Sequence, residues 1–164
     1  MIMLRPNNRP IINSCCILLL STLVLASCRF DGNNMQRYES VPVSGWHADS
    51  PVRMEVPVSD TVGVYDVALR LRYTDDYPYS NLWLFVTTVA PDNTASVDTV
   101  NIRLADEYGR WLGSGIGASI QYEFLYRQAF RFDQSGLWHI AIQQGMQDLE
   151  LEGITAVGIK VSAL

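Results

Sequence analysis

The residue with the clearest chemistry in this sequence is Cys28, whose thiol can be linked covalently to lipid. It ends the tetrapeptide Leu-Ala-Ser-Cys, which closes an apolar run at residues 17–25. Arg5 and Arg9 precede the run, and no acidic residue lies near them. A positive start, a short apolar core and small residues at its end are typical of a signal peptide. We therefore predict a signal peptide at residues 1–27 and a mature chain that begins at Cys28.

The tetrapeptide ending at Cys28 resembles the lipobox of bacterial lipoproteins at all four positions. The alternative is an ordinary signal peptide followed by an incidental cysteine. One acyl chain, such as palmitate, binds a membrane only marginally, so stable anchoring takes two or more. Cleavage would also remove Cys15 and Cys16. The mature chain would then keep no thiol for a disulfide, for catalysis or for a thiolate metal site.

The mature chain is acidic. The sequence has 12 basic and 17 acidic side chains, a net charge of −5. Because Arg5 and Arg9 leave with the signal peptide, the mature chain carries 10 basic and 17 acidic side chains, a net charge of −7. An acidic domain with one lysine, Lys160, is a poor match to nucleic acid or to an anionic membrane surface. We predict a membrane contact through the lipid on Cys28 and no nucleic-acid partner.

The elements beyond Cys28 are predicted from hydrophobic periodicity. Residues 28–40 are polar and show no clear period, which predicts a flexible tether. About 12 extended residues of tether would reach roughly 40 Å. Residues 41–164 show a period of two, as where Leu69, Leu71 and Tyr73 alternate with arginines. Turn residues at short intervals separate such runs, so we predict a single antiparallel β-sandwich, either immunoglobulin-like or jelly-roll-like.

Seven segments are predicted as strands, and one further segment is left undecided. Residues 82–89 are nearly all apolar or β-branched, which predicts a central strand buried on both faces. Residues 119–126 fit either a short helix or another strand. The predicted strands are residues 52–58, 67–73, 82–89, 97–104, 128–132, 137–142 and 157–161.

Three aromatic residues, Tyr77, Tyr79 and Trp111, are candidates for a partner surface. Tyrosine and tryptophan combine a rigid apolar ring with a hydrogen-bonding tip, which suits protein interfaces. The alternative is that the two tyrosine rings pack over the end of the sandwich and that Trp111 covers an edge of the core. Glycines follow Trp111 at 113, 115 and 117. They lack the strand–loop–helix context and the lysine of a phosphate loop, so we predict no nucleotide cofactor.

Groups that could catalyse a reaction or hold a metal are sparse. His47 and His139 are the only histidines, and no ligand spacing accompanies them. The sequence shows no nucleophile elbow and no paired-carboxylate signature. We therefore predict no catalytic residues, no metal site and no enzymatic activity.

A repeated tripeptide makes Thr61 and Thr99 candidates for modification. Asp-Thr-Val occurs at 60–62 and again at 98–100. It resembles the O-glycosylation sequon of envelope proteins in some Gram-negative lineages. The alternative is that Asp-Thr forms a turn before a strand.

Several blocks of the mature chain resemble the gliding-motility lipoprotein H family (GldH) in order and spacing. They include the lipobox, Asp-Asp-Tyr-Pro-Tyr-Ser-Asn-Leu at 75–82, Gly-Arg-Trp-Leu-Gly at 109–113 and Leu-Glu-Gly-Ile-Thr-Ala-Val-Gly at 151–158. The resemblance implies a lipoprotein of the cell envelope, a non-catalytic component or accessory of the gliding and type IX secretion machinery. It supplies no catalytic or ligand residues.

Two further expectations concern location and an alternative function. Residues 29–31 lack the run of acids that favours display on the outer surface, so we expect a periplasm-facing domain on the outer membrane. The alternative function is a membrane-anchored carbohydrate- or peptidoglycan-binding module. It is suggested by four tryptophans in a short β domain, because β-sandwiches often present aromatic platforms to sugars.

Overall fold

The computed structural model describes residues 34–164, and every regular element in that range is a β-strand. No helix in this part of the chain has the length and apolar character needed to cross a membrane. The strands are β1 (Asn34–Ser40), β2 (Trp46–His47), β3 (Val52–Val58), β4 (Tyr65–Tyr73), β5 (Asn81–Val89), β6 (Ala95–Arg103), β7 (Ser114–Ile116), β8 (Ser119–Phe130), β9 (Gly136–Gln144), β10 (Glu150–Leu151) and β11 (Ile154–Ala163).

The strands form two large antiparallel sheets and one small one. The five-stranded sheet has the order β1-β11-β4-β8-β7, and the four-stranded sheet has the order β3-β9-β5-β6. The pair β10-β2 forms a separate two-stranded sheet. The predicted all-β, antiparallel sandwich is therefore confirmed, and the structure supplies the strand order that the sequence left open.

The core consists of alternate side chains from both large sheets. Leu69, Leu71 and Ile159 of the five-stranded sheet are fully buried. Leu84 and Ile142 of the four-stranded sheet are equally buried and belong to the same apolar cluster. Full burial of such a side chain stabilises the fold by about 1.5–3 kcal/mol. This alternation is the period of two that predicted the strands.

The predicted tether at residues 28–40 is wrong for its last seven residues, which form β1. All seven pair with β11, from Asn34 opposite Ser162 to Ser40 opposite Ala156. The ring of Tyr38 also lies under the guanidinium of Arg72, 4.2 Å from the ring centroid. An edge strand is held by backbone hydrogen bonds and by contacts of this kind, so it needs few apolar residues. Because residues 34–40 are mostly polar, hydrophobic periodicity did not predict this strand.

The prediction that residues 82–89 are buried on both faces is also wrong. β5 does lie between β6 and β9, as expected of an inner strand. Its side chains nevertheless alternate, and Trp83 and Phe85 are 42% and 41% exposed. No other described strand covers this outer face. The apolar composition of residues 82–89 therefore does not mean that both faces of the strand are buried. The undecided residues 119–126 are part of β8, which also includes the beginning of the strand predicted at 128–132.

One end of the sandwich, which we call the loop end, is where β4 and β6 finish and β5 and β11 begin. Tyr73, the last residue of β4, donates its hydroxyl to the carbonyl oxygen of Leu104 at 3.4 Å. Thr74 donates its backbone N–H to Gly153, and Leu104 donates to Ser80, both at 2.8 Å. The chain enters β1 at the opposite end of the sandwich, where Asn34 pairs with Ser162.

Candidate binding surfaces

The aromatic residues predicted to form a partner surface are packed into the loop end instead. Tyr77 is 2% exposed, and its hydroxyl donates to the carbonyl oxygen of Asn81 at 2.8 Å. Burial raises the pKa of Tyr77 well above its ordinary value. The partner-surface prediction is therefore wrong for Tyr77, because a ring that fills the core presents nothing to a partner.

Tyr79 and Trp111 pack around Tyr77 and are only partly exposed. The Tyr77 and Tyr79 ring centroids are 5.9 Å apart in an edge-to-face arrangement. Trp111 lies edge-to-face on Tyr73 at 5.2 Å, and its backbone bridges to Ala105. The alternative interpretation, rings packed over the end of the sandwich, describes this cluster. We call Tyr73, Tyr77 and Trp111 the buried aromatic cluster.

The outer face of the four-stranded sheet carries an open groove beside this cluster. Its volume is about 520 Å³, within the range of small-molecule sites. We call it the aromatic groove. It is lined by Tyr79, Asn81, Trp83, Phe85, Thr99 and the segment 145–147.

Strand geometry sets the two central rings of the groove in a row. Trp83 and Phe85 are two residues apart on β5, so they share a face at a spacing of about 7 Å. On the neighbouring strand β6, Asn101 lies opposite Trp83 and Thr99 lies opposite Phe85. Each ring therefore has an amide or a hydroxyl group opposite it on β6.

Polar side chains hold the walls of the groove in place. The Tyr79 hydroxyl donates to Oδ2 of Asp148 at 2.6 Å, a bond that raises the pKa of Tyr79. The Gln144 side chain is buried; its Nε2 donates to the carbonyl oxygen of Asp148 at 2.7 Å, and its Oε1 accepts from the Met146 N–H at 2.8 Å. Through these two hydrogen bonds, the buried Gln144 side chain holds the backbone of the 145–149 loop in place.

The tryptophans differ in what their indole N–H groups contact. Trp46 and Trp138 are buried, and each donates its Nε1–H to a backbone carbonyl oxygen, at 2.9 and 3.0 Å. Trp83 is exposed, and within residues 34–164 no acceptor is hydrogen-bonded to its Nε1–H. Its indole N–H is available to a ligand.

Gly145 gives the Phe85 ring its place in the groove. A Cβ at position 145 would lie 3.0 Å from the Phe85 ring carbon Cε2 and 3.3 Å from Cζ. The Gly145 N–H also donates to the Trp83 carbonyl oxygen at 2.7 Å. The absence of a side chain here leaves room for the Phe85 ring beside the end of β9.

The two candidate glycosylation threonines lie in different local structures, and both are exposed. At Thr61 the turn alternative applies, because Asp60 Oδ1 accepts the N–H groups of Val62 and Gly63 at 2.8 and 3.1 Å. These bonds lower the pKa of Asp60. Thr99 instead lies within β6 on the wall of the groove. Modification of Thr61 and Thr99 stays a prediction.

Asp98, the neighbour of Thr99, joins the two sheets. It accepts hydrogen bonds from the Tyr126 hydroxyl and, at 2.5 Å, from Nη2 of Arg127, both on β8. The Tyr126 bond and then the Arg127 bond hold the pKa of Asp98 below its ordinary value. The second Asp-Thr-Val therefore forms a strand whose aspartate is a cross-sheet contact.

The histidines lie apart, each beside one carboxylate. His47 Nε2 is 3.9 Å from Glu150, and His139 Nδ1 is 3.8 Å from Glu55. Within residues 34–164, no group of three or more His, Cys, Asp and Glu side chains is placed to hold a metal ion. Cys28 and the signal peptide at 1–27 lie outside the described residues, so lipidation stays a prediction.

The loop end exposes apolar side chains of its own, in addition to the groove. They lie in the connections between strands and, in one case, at the last residue of β7, and each is exposed to solvent. They are Val43, Tyr108, Leu112, Ile116 and Leu149.

The fold and the groove define the class of this protein as an all-β sandwich domain with an open aromatic face. Within that class, the chain belongs to the GldH lipoprotein family, whose model matches residues 33–161. The resemblance found in the sequence is therefore confirmed. The family match supports its description as a lipoprotein linked to gliding motility.

Two relatives are similar over most of their length. One is the "Gliding motility lipoprotein GldH homolog" of Christiangramia forsetii, 33% identical over 151 residues, which are 88% of this chain and 92% of the relative. The other is the "Gliding motility lipoprotein GldH" of Flavobacterium johnsoniae, 32% identical over 153 residues, 88% of this chain and 93% of the relative.

Among solved structures, the VP2 subviral particle of infectious bursal disease virus is similar at 12% identity and a TM-score of 0.35. The match covers 80% of this chain and 30% of the viral chain. That score is too low to bear on fold or function.

Proposed function

We propose that this protein is a lipid-anchored, non-catalytic accessory of the gliding and type IX secretion machinery, on the outer membrane and facing the periplasm. The observation that carries the proposal is family membership over residues 33–161, together with relatives named as gliding motility lipoproteins. In this proposal the loop end contacts a protein of the machinery, and Cys28 carries the lipid.

The position of β1 supports a short link between lipid and domain. If Cys28 is the lipidated residue, six chain steps separate it from Asn34, where β1 begins. Six extended steps span about 20 Å, half of the reach of the predicted tether. In the proposal, the end where β1 begins therefore stays near the membrane, and the loop end is directed away from it.

The chemistry of the loop end suggests the chemistry of its partner. Its exposed apolar side chains lie among carboxylates, and Arg110 is bound to Asp106 at 2.7 Å. A partner surface with apolar residues and an excess of positive charge would complement it. The carboxylates of this end and its loops are Asp49, Asp75, Asp76, Asp106, Glu107, Asp148, Glu150 and Glu152.

Site-specific photo-crosslinking in living cells tests the protein contact. A photoreactive phenylalanine analogue is placed at Ile116 or Leu112 of the loop end, and at Leu125 as a control. Leu125 is also exposed and apolar but lies in the middle of β8, opposite Ala68 of β4 and away from the loop end. We expect Ile116 and Leu112, but not Leu125, to crosslink to gliding or type IX secretion proteins. Crosslinks of equal yield at all three positions, or none at the loop end, would contradict the proposal.

The lipid anchor is tested separately. We expect the wild-type protein to incorporate an alkyne-labelled palmitate analogue and to fractionate with the outer membrane, whereas Cys28→Ala does neither. Label retained by Cys28→Ala would show that Cys28 is not the lipidated residue.

A further inference from the structure

We propose that the aromatic groove binds a neutral glycan chain through Trp83 and Phe85. The groove adjoins the loop end but shares no residue with its exposed apolar side chains, so either contact can fail without the other. The first argument is exposure, because two large rings stay about two-fifths exposed although the core behind them is fully packed. Contiguous exposed apolar surface rimmed by polar groups marks a ligand or partner site.

The shape of the groove suits a chain of sugar rings. An aromatic face carries partial negative charge, so it attracts the polarised C–H groups of the apolar face of a sugar. Trp83 and Phe85 offer two such faces in a row, spaced by about 7 Å along β5. The groove is open and about 520 Å³ in volume, so a chain can pass through it.

The polar lining matches hydroxyl groups. Asn81 Nδ2 donates to Asn101 Oδ1 at 2.9 Å, a bond that leaves the other amide atoms of this pair with capacity for a ligand. Thr99 and Gln147 add groups that both donate and accept. Trp83, which also lines the groove, adds its indole N–H as a further donor. Amides and hydroxyls together satisfy sugar hydroxyls, which also both donate and accept.

The charge of the lining favours a neutral ligand. None of the side chains that line the groove is charged, although the mature chain carries a net charge of −7. Asp148, behind Tyr79, is occupied by the Tyr79 hydroxyl. Arg103, opposite Asn81 on β6, keeps its positive charge but is not part of the lining, and its Nε–H is held by the Ala105 carbonyl oxygen at 2.8 Å. An anionic glycan or a charged peptide would find no counter-charge in the lining.

The test is a binding assay on the full lipid-anchored protein reconstituted in phosphatidylcholine nanodiscs. Isothermal titration uses hexasaccharides of glucose, xylose, mannose and N-acetylglucosamine as neutral probes. Heparin hexasaccharide and a neutral hexapeptide are the comparison probes. We expect at least one neutral glycan to bind, with no binding of heparin or the peptide. No neutral glycan binding at millimolar concentration, or preferential binding of heparin or the peptide, would overturn the proposal.

Variants locate the site. We expect Trp83→Ala to weaken binding at least tenfold, and Trp83→Phe, which keeps a ring but loses the N–H, to weaken it a few-fold. Gly145→Ala should also weaken binding, because its methyl group pushes against Phe85. Leu137→Ala is the matched control, since Leu137 is 39% exposed on the same sheet but outside the groove. Equal affinity of Trp83→Ala and the wild type, with folding verified by circular dichroism, would overturn the proposal.

Discussion

Two groups of aromatic residues lie side by side at the loop end and have opposite environments. The buried aromatic cluster of Tyr73, Tyr77 and Trp111 packs into the sandwich, whereas Trp83 and Phe85 of the groove face solvent. The sequence predicts the reverse for Tyr77, as a partner surface, and for residues 82–89, as a strand buried on both faces. Aromatic composition therefore shows that large apolar area is present, but the pairing of strands decides which rings are covered.

The outer face of the five-stranded sheet differs from the groove face, because its polar side chains contact one another. There Glu123 pairs with Arg70 at 3.3 Å and with Lys160 at 2.9 Å, and Arg70 and Arg72 lie over the Tyr38 ring. Ion pairs and guanidinium groups stacked on an aromatic ring thus link β1, β11, β4 and β8. Among residues 34–164, no such network surrounds the rings of the groove face, which is why we assign that face to a ligand.

The largest effect on stability should come from the buried aromatic cluster. We expect Tyr77→Ala to lower the free energy of unfolding by about 3–5 kcal/mol, because it leaves a large cavity in the core. Urea denaturation measures the change. Tyr108→Ala is the control: at 76% exposure it should change stability by no more than about 0.5 kcal/mol. Equal losses of stability for the two variants would show that burial of the Tyr77 ring contributes no more to stability than the exposed Tyr108 ring does.

The backbone beneath Tyr77 gives the next largest effect. Gly153 has φ +79°, and a Cβ there would lie 2.5 Å from the Tyr77 Cα. We expect Gly153→Ala to lower the free energy of unfolding by about 2–4 kcal/mol, from left-handed backbone strain and steric conflict together. Gly109→Ala is matched in backbone, with φ +77° and nothing within 4 Å of the added Cβ.

Because Gly109→Ala should show only the strain of about 1–2 kcal/mol, the difference between the two variants measures the steric conflict alone. Thermal or urea unfolding of both variants provides the comparison. If they are equally destabilised, the chain close to Tyr77 is less tightly packed than the structure indicates.

The contact that joins the sheets behind the groove should give a smaller, pH-dependent effect. Hydrogen bonds from Tyr126 and Arg127 place the folded-state pKa of Asp98 below its ordinary value of 3.8. The ionised carboxylate therefore stabilises the fold above that ordinary value, and this contribution is lost as the pH falls through the lowered pKa. Because Asp98 is partly exposed, we expect Asp98→Asn to cost about 1 kcal/mol at pH 7.

Urea titrations of the wild type and Asp98→Asn from pH 7 to pH 3 measure this contribution. The difference in stability between them should shrink as the pH falls. Asp75→Asn, in an exposed loop, controls for the removal of one negative charge. A difference that stays constant down to pH 3 would show that the hydrogen bonds do not depend on ionised Asp98.

The smallest effect on stability should come from the groove. We expect Trp83→Ala to change the free energy of unfolding by about 1 kcal/mol or less, because much of the ring is already in water. Urea denaturation beside Tyr77→Ala makes the comparison direct. A loss as large as that of Tyr77→Ala would show that the Trp83 ring is part of the core rather than a surface kept for a ligand.

The alternation of groove residues along β5 was present in the sequence, but the apolar composition of the whole strand made it hard to recognise. Trp83 and Phe85 alternate with Leu82, Leu84 and Val86, the pattern of a strand with two distinct faces, but both faces are apolar. Gln144 carried no signal, because a glutamine at the end of a strand gives no indication that it is buried below a loop. The edge strand β1 was missed for the opposite reason, since its polar residues are stabilised by backbone pairing and by the arginines of β4.

The sequence alone determined the class of fold and the family. Alternation at period two predicted most of the strands, because burial of one face requires that pattern whatever the strand order. The sequence motifs shared with the GldH family could also be recognised without a structure. Only the tertiary structure decided which aromatic rings are covered. Whether a ring is covered depends on which strands pair and on which face of a sheet the other sheet lies. Both depend on contacts between residues far apart in the chain, such as Asp98 with Arg127 and Tyr79 with Asp148.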